Sequence, residues 1–314
     1  IENNFDKLSA KSFIVLRLIV EYKYQYDLYL ENKKDNTFTK ISTSADQAII
    51  INYDNDEILY EKNADFEFAP ASMTKIMTAY VVFDRLKNTS LSIKNLCRIS
   101  AKAYKIGGSR SFLEIDDAVS INDLLKGLIV QSGNDSAIAL AECMSGTEFD
   151  FAKLMNIYAK RLGMNNSNFV NASGWPVYDH YSTVRDLAIL SKAIINKFPY
   201  LYNFFSISEF TYNEIKQPNR NKLLNLVQGV DGLKTGFTKE SGWGVATSAK
   251  RQNKRIILVI NGADSSRSRL SEAEKLVNWA FDYISSSSNN ISIKKIEEKN
   301  IDGNIEGVYY TTAN

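Results

Sequence analysis

The 314-residue chain has one histidine, two cysteines and four prolines. A single histidine, His180, is too little for a histidine-rich metal centre, and Cys97 with Cys143 is too little for a disulfide framework. Both cysteines lie beside apolar helical patterns and read as small buried apolar residues, with one disulfide between them left open for an oxidising compartment. Charge of either sign is also lacking in excess: 38 Lys and Arg stand against 36 Asp and Glu, without a basic cluster. Such a balance excludes the footprint of a nucleic-acid binder and strong attraction to an anionic membrane surface. Beyond residues 12–20, no apolar run is long enough to span a bilayer.

What is present fits one large domain, or a main domain with a small appendage. Lys7 and Lys11 precede the apolar residues 12–20, which have the length and flanks of a secretory signal. Arg17 interrupts the run and residues 21–26 offer no small-residue cleavage site, so residues 1–44 read as a degraded or uncleaved export signal. Residues 47–53 and 58–61 are β-rich around the turn Asp54-Asn55-Asp56 and predict a hairpin. Residues 100–197 are mainly helical, with capping signals at Ser120, Thr147 and Thr183 and a stop at Gly163. Strand patterns return at 210–213, 241–248 and 255–260, and a last helix runs from about Arg267 through Ala280.

The predicted fold is therefore α+β: one antiparallel sheet built from both chain ends, flanked by helices, with a mainly helical lobe packed at its edge. Residues 45–284 make this domain. Residues 285–314 read as a serine- and asparagine-rich linker and a short, incomplete β tail.

Three motifs carry chemistry. In Pro70-Ala71-Ser72-Met73-Thr74-Lys75 a hydroxyl and an amine are three residues apart at a predicted helix start, so they share a face. An apolar surround would lower the lysine pKa and make Lys75 a base for Ser72. Ser132-Gly133-Asn134 falls at a break between two helices, where a hydroxyl and an amide can face a cleft. Lys234-Thr235-Gly236-Phe237-Thr238 reads as an edge strand whose glycine admits a substrate backbone and whose lysine offers a cation, which would also help keep Lys75 neutral. Each motif alone is weak, as Ser292-Ile293-Lys294-Lys295 shows by matching the first in a polar tail.

The trio, in this order and at intervals of about 60 and about 100 residues, resembles the penicillin-recognising serine enzymes. Asn219-Arg220-Asn221-Lys222, Asn171-Ala172-Ser173-Gly174-Trp175 and His180-Tyr181-Ser182-Thr183 extend the likeness to the low-molecular-weight D-alanyl-D-alanine carboxypeptidases over residues 45–284. The resemblance implies a β-lactamase-like or penicillin-binding transpeptidase-like fold. It also implies Ser72 as acylated nucleophile, Lys75 as its base, Ser132 as proton relay and Asn134 as orienting group. It assigns the substrate carboxylate to Lys234 and Thr235, with Gly236 on the same strand and Arg220 and Arg269 nearby. Backbone N–H groups of Ser72 and Phe237 would form the oxyanion hole.

Peptidoglycan stem peptides ending in D-Ala-D-Ala are the implied substrates and β-lactams the implied inhibitors. No metal or organic cofactor is implied, and no nucleic-acid partner. The implied location is extracytoplasmic, in the periplasm or at the outer face of a bacterial inner membrane, with peripheral membrane association. This lysine-based chemistry leaves His180 a structural role. Three other readings stay open: a D,D-endopeptidase, a class A-like β-lactamase, and a non-enzymatic penicillin-sensing or wall-binding module. For the β-lactamase, Glu209-Phe210-Thr211-Tyr212-Asn213 matches a deacylation motif in letters but sits in a strand-like stretch.

Overall fold

A computed structural model describes residues 41–287, 293–299 and 305–312. The export-signal reading of residues 1–44 lies almost wholly outside these. The short strands β1 (Gln47–Asn52) and β2 (Ile58–Lys62) form the expected hairpin. Two small ladders follow, β3 (Leu96–Arg98) with β4 (Ala118–Ser120) and β5 (Glu209–Tyr212) with β6 (Ile215–Pro218). Late in the chain come β7 (Val230–Thr238), β8 (Gly242–Arg251), β9 (Lys254–Ala263), β10 (Ile293–Lys299) and β11 (Ile305–Thr312). Seven strands make one antiparallel sheet in the order β10-β11-β2-β1-β9-β8-β7, so early β1 is zipped to late β9 and β7 is an edge.

The helices are α1 (Lys75–Asn88), α2 (Ala101–Lys105), α3 (Ile121–Lys126), α4 (Asn134–Ser145), α5 (Glu148–Leu162), α6 (Val184–Lys197), α7 (Leu223–Leu226) and α8 (Ser266–Ser287). Ser120, Thr147 and Thr183 cap three of them by accepting from the N–H groups of Asp123, Asp150 and Asp186, and left-handed Gly163 closes α5. Helix α8 runs past the expected linker boundary. Ser285 and Ser286 donate back to the carbonyls of Phe281 and Asp282, which lets serines finish a helix instead of breaking it.

The helical lobe packs on a face of the sheet, not at its edge as expected. All six β1 residues are buried, because apolar side chains occupy both parities of the strand. Ile49, Ile51, Ile257 and Val259 face the lobe, together with Met77, Tyr80 and Phe83 of α1. Ile50, Leu258 and Ile260 face α8 through Ala273, Leu276 and Ala280. Helix α1 is thus sunk in the lobe, with Tyr80 and Phe83 edge-on to Phe198 at 5.1 and 5.8 Å.

Cys97 and Cys143 form the disulfide that the sequence left open, and Cys143 is exposed instead of buried. Strand β3 packs against α4 and brings their Cα atoms to 5.6 Å, with Cys97 buried and Cys143 on the surface. No helix among the described residues is long and apolar enough to cross a membrane.

Candidate active site

The α-helix begins at Lys75, and Ser72 lies in a single 3-10 turn before it, Ala71–Thr74. In such a turn residues three apart eclipse one another more closely than on an α-helix. The Lys75 side-chain nitrogen Nζ accordingly stands 3.0 Å from Ser72 Oγ. Ala71 enters the turn at φ +51°, a left-handed conformation that costs a non-glycine residue energy.

The second motif is built on a comparable irregularity. Helix α3 ends in a π-helical turn, Gly127–Gln131, closed by Ser132 at φ +67°. Asn134 then opens α4. Its amide is fixed by donation from Nδ2 to the Gly107 carbonyl at 2.8 Å, which leaves Oδ1 facing Lys75 Nζ at 2.7 Å. Neighbouring Asp135 is fully buried and accepts from the N–H groups of Ser111 and Ser136 at 2.8 Å.

A third contact to Lys75 comes from a backbone atom, the Ser173 carbonyl, at 2.6 Å from Nζ. Sequence reasoning did not assign it, since a carbonyl carries no residue-type signal. Burial pulls the Lys75 pKa down from 10.5 to about 7, partly opposed by the negative charge of Asp135. Desolvation therefore does what the lysine of β7 was expected to help with.

Lys234 is itself buried, its Nζ 3.2 Å from the Thr235 carbonyl. Burial holds its pKa well below the usual lysine value, and the charges of Lys75, Arg269 and Arg220 press in the same direction. Lys234 thus feels basic groups from three sides, and an anion bound beside it would be favoured by electrostatics. Burial also lowers Arg269, to about 10, and its guanidinium lies 5.3 Å above the Trp243 ring. Arg220 is exposed at the rim, its backbone N–H donating to Val130.

These groups surround a cleft of about 1290 Å³. Ser72, Ser132, Asn134, Arg220, Thr235, Gly236, Phe237 and Arg269 line it, while Lys75 and Lys234 sit behind the lining. Phe237 is stacked on Trp243 at 4.1 Å. Gly236 has a second reason besides the expected one. A Cβ there would meet the Pro70 carbonyl at 2.8 Å and Met73 at 3.2 Å, so the missing side chain lets β7 close on the turn that carries Ser72.

His180 does not line the cleft. Its Nδ1 accepts from the Val170 N–H, so the proton resides on Nε2 and is shared with Thr74 Oγ1 at 2.9 Å. Burial, aided by the charge of Lys75, lowers its pKa to about 4 and keeps it a neutral strut. Glu209 lies on β5 paired with Lys216, away from the lining, and the loop through residues 173–176 brings no carboxylate. Among the described residues the only carboxylate lining the cleft is that of Glu240.

A family model described as D-alanyl-D-alanine carboxypeptidase matches residues 33–265. The D-alanyl-D-alanine carboxypeptidase DacC of Escherichia coli is 41% identical over 256 residues, 79% of this chain and 64% of that protein. The crystal structure of penicillin binding protein 5 from Haemophilus influenzae superposes with a TM-score of 0.75 at 33% identity, covering 87% of this chain and 84% of that one. Penicillin-Binding Protein D2 from Listeria monocytogenes, solved in an ampicillin-bound form, gives 0.71 at 34% identity, with 77% of this chain and 99% of that one covered. The fold is that of the penicillin-binding D,D-peptidases. The chain belongs to the D-alanyl-D-alanine carboxypeptidase family. It spans a little under two thirds of the length of the DacC relative.

Proposed function

We propose that the protein is a serine D,D-carboxypeptidase that removes the terminal D-alanine from peptidoglycan stem pentapeptides through an acyl-enzyme on Ser72. One observation carries this reading: the three contacts of Lys75. A neutral amine has two hydrogens and one lone pair. Asn134 Oδ1 and the Ser173 carbonyl are acceptors only, so they take the two hydrogens and the lone pair is left for the Ser72 hydroxyl.

Lys75 then removes the proton as Ser72 Oγ bonds to the carbonyl carbon of the penultimate D-alanine. Backbone N–H groups of Ser72 and Phe237 stabilise the oxyanion. The C–N bond breaks as the proton passes from Lys75 through Ser132 to the leaving amine. Water attacks the ester with Lys75 again as base, releasing the shortened peptide and restoring Ser72. The carboxylate of the leaving D-alanine binds where Lys234, Thr235, Arg220 and Arg269 converge, and its negative charge holds the proton on buried Lys234. β-Lactams enter as carboxylate-bearing substrate mimics, a role supported by the ampicillin-bound relative.

The peptidase unit is residues 45–284, acting outside the cytoplasm where its substrate lies. The test is D-alanine release from an acylated L-Lys-D-Ala-D-Ala tripeptide by the parent and by Ser72→Ala. Release by the parent alone supports the reading, and equal release by both overturns it.

A further inference from the structure

The Ser173 carbonyl is held by a side chain that none of these roles uses. Asn171 Oδ1 accepts from the backbone N–H groups of Ser173 (3.2 Å), Gly174 (2.8 Å) and Trp175 (3.1 Å), and from Ser173 Oγ (3.3 Å). Its Nδ2 donates back to the Trp175 carbonyl at 2.9 Å. One amide thus closes the turn of residues 171–175 from both ends. The turn is docked through its neighbours: the Ala172 N–H donates to the buried Glu148 carboxylate at 3.1 Å, and the Ala172 carbonyl accepts from Thr78 Oγ1 at 2.6 Å. Gly174, at φ +78°, lies so close to the turn of Ser72 that a Cβ would stand 1.8 Å from the Ala71 carbonyl.

We propose that Asn171 is a positioning residue for the acylation step: it fixes the Ser173 carbonyl as a permanent acceptor for one Lys75 hydrogen and so aims the amine lone pair at Ser72. The inference rests on the reading of Ser72 and Lys75 above. If the carbonyl drifts away, one hydrogen of the amine is free to turn toward Ser72 Oγ, and the lone pair points elsewhere for part of the time. The charged and titratable groups that act on Lys75 or feel it are Asp135 from α4, Lys234 from β7 and His180 from the loop. Asn171 is neutral, so its loss changes geometry and leaves that set of charges in place.

The experiment measures penicillin acylation by rapid mixing at pH 9, where Lys75 is neutral, and separates the acylation rate constant from the prior binding constant. Asn171→Ala is expected to lower the rate constant about 10- to 100-fold, as misplacement by a fraction of an ångström to an ångström does, with binding changed less than about threefold. Asn156→Ala is the comparator, because Asn156 clamps the same loop at Phe169 through two bonds of 2.8 Å, remote from Lys75. It is expected to lower the melting temperature and to keep the rate constant within about threefold of the parent.

Asn171→Asp keeps the acceptor oxygen but loses the Nδ2 donor to the Trp175 carbonyl and adds a negative charge, so at pH 9 it is expected to recover part of the loss, which also covers failure of the alanine variant to fold. An unchanged rate constant in Asn171→Ala, or losses in both alanine variants that simply follow their melting temperatures, overturns the proposal while leaving Ser72 and Lys75 in their roles. No acylation of the parent removes the underlying reading as well.

Discussion

Lys75→Met makes the energetic cost of burying this amine measurable. The folded protein holds the amine at about 7 against an ordinary 10.5, so it binds fewer protons than the unfolded chain between those values. Stability of the parent therefore rises with pH across that window, and the penalty is fully present below about pH 7. At about 1.4 kcal/mol per unit, the buried amine costs the fold about 4–5 kcal/mol at pH 6.5 and about 2 kcal/mol at pH 9. Methionine fills a similar volume and does not titrate, so the variant lacks this slope.

Urea unfolding of both proteins at several pH values between 6.5 and 9 reads the difference directly. The parent is expected to gain about 2–3 kcal/mol on the variant over that range, with titrating groups remote from Lys75 cancelling in the comparison. Curves that run parallel would refute the argument, because they would mean that Lys75 is protonated in the fold at neutral pH. A parent that loses ground as pH rises would refute it more strongly.

Three further outcomes follow from the same structure. Penicillin acylation should fall about tenfold per pH unit below about pH 7, as Lys75 gains its proton, and a rate independent of pH from 5 to 8 would contradict this. The Cys97–Cys143 bond closes a loop of 46 residues in sequence separation, and loop-closure entropy gives it about 4 kcal/mol of stabilisation, read as the loss in urea stability on replacing both cysteines by alanine. Gly174→Ala places a Cβ against the Ala71 carbonyl at a positive φ, so it should cost about 2–3 kcal/mol in urea unfolding and slow acylation; a variant as fast and as stable as the parent would show that the loop is not packed on the nucleophile turn.

Much of this architecture is legible in the chain because it depends on local chemistry. Ser120, Thr147 and Thr183 announce helix starts by side-chain capping, and the alternation of residues 241–248 announces a strand. The three motifs are legible because their residue types are chemically specific and their spacing matches a known family. Other features depend on contacts made far along the chain. That the lobe covers a sheet face follows from β1 being apolar on both parities, yet the same pattern suits several packings. The bond between Cys97 and Cys143 needs β3 to lie on α4, which spacing alone does not require.

Within the site, the hidden parts are backbone atoms. The carbonyls of Ser173 and Gly107 hold Lys75 and Asn134, and nothing in the letters Ser or Gly marks them. The block around Asn171 is legible in the sequence, whereas the five hydrogen bonds that converge on its amide are not.

The most direct test of the central claim is an intact-mass time course of the protein with excess penicillin, run beside Ser72→Ala. A lasting adduct of one drug mass is expected on the parent and none on the variant. An adduct on both proteins would place the nucleophile elsewhere, and drug consumed without any adduct would point to rapid deacylation and a β-lactamase instead.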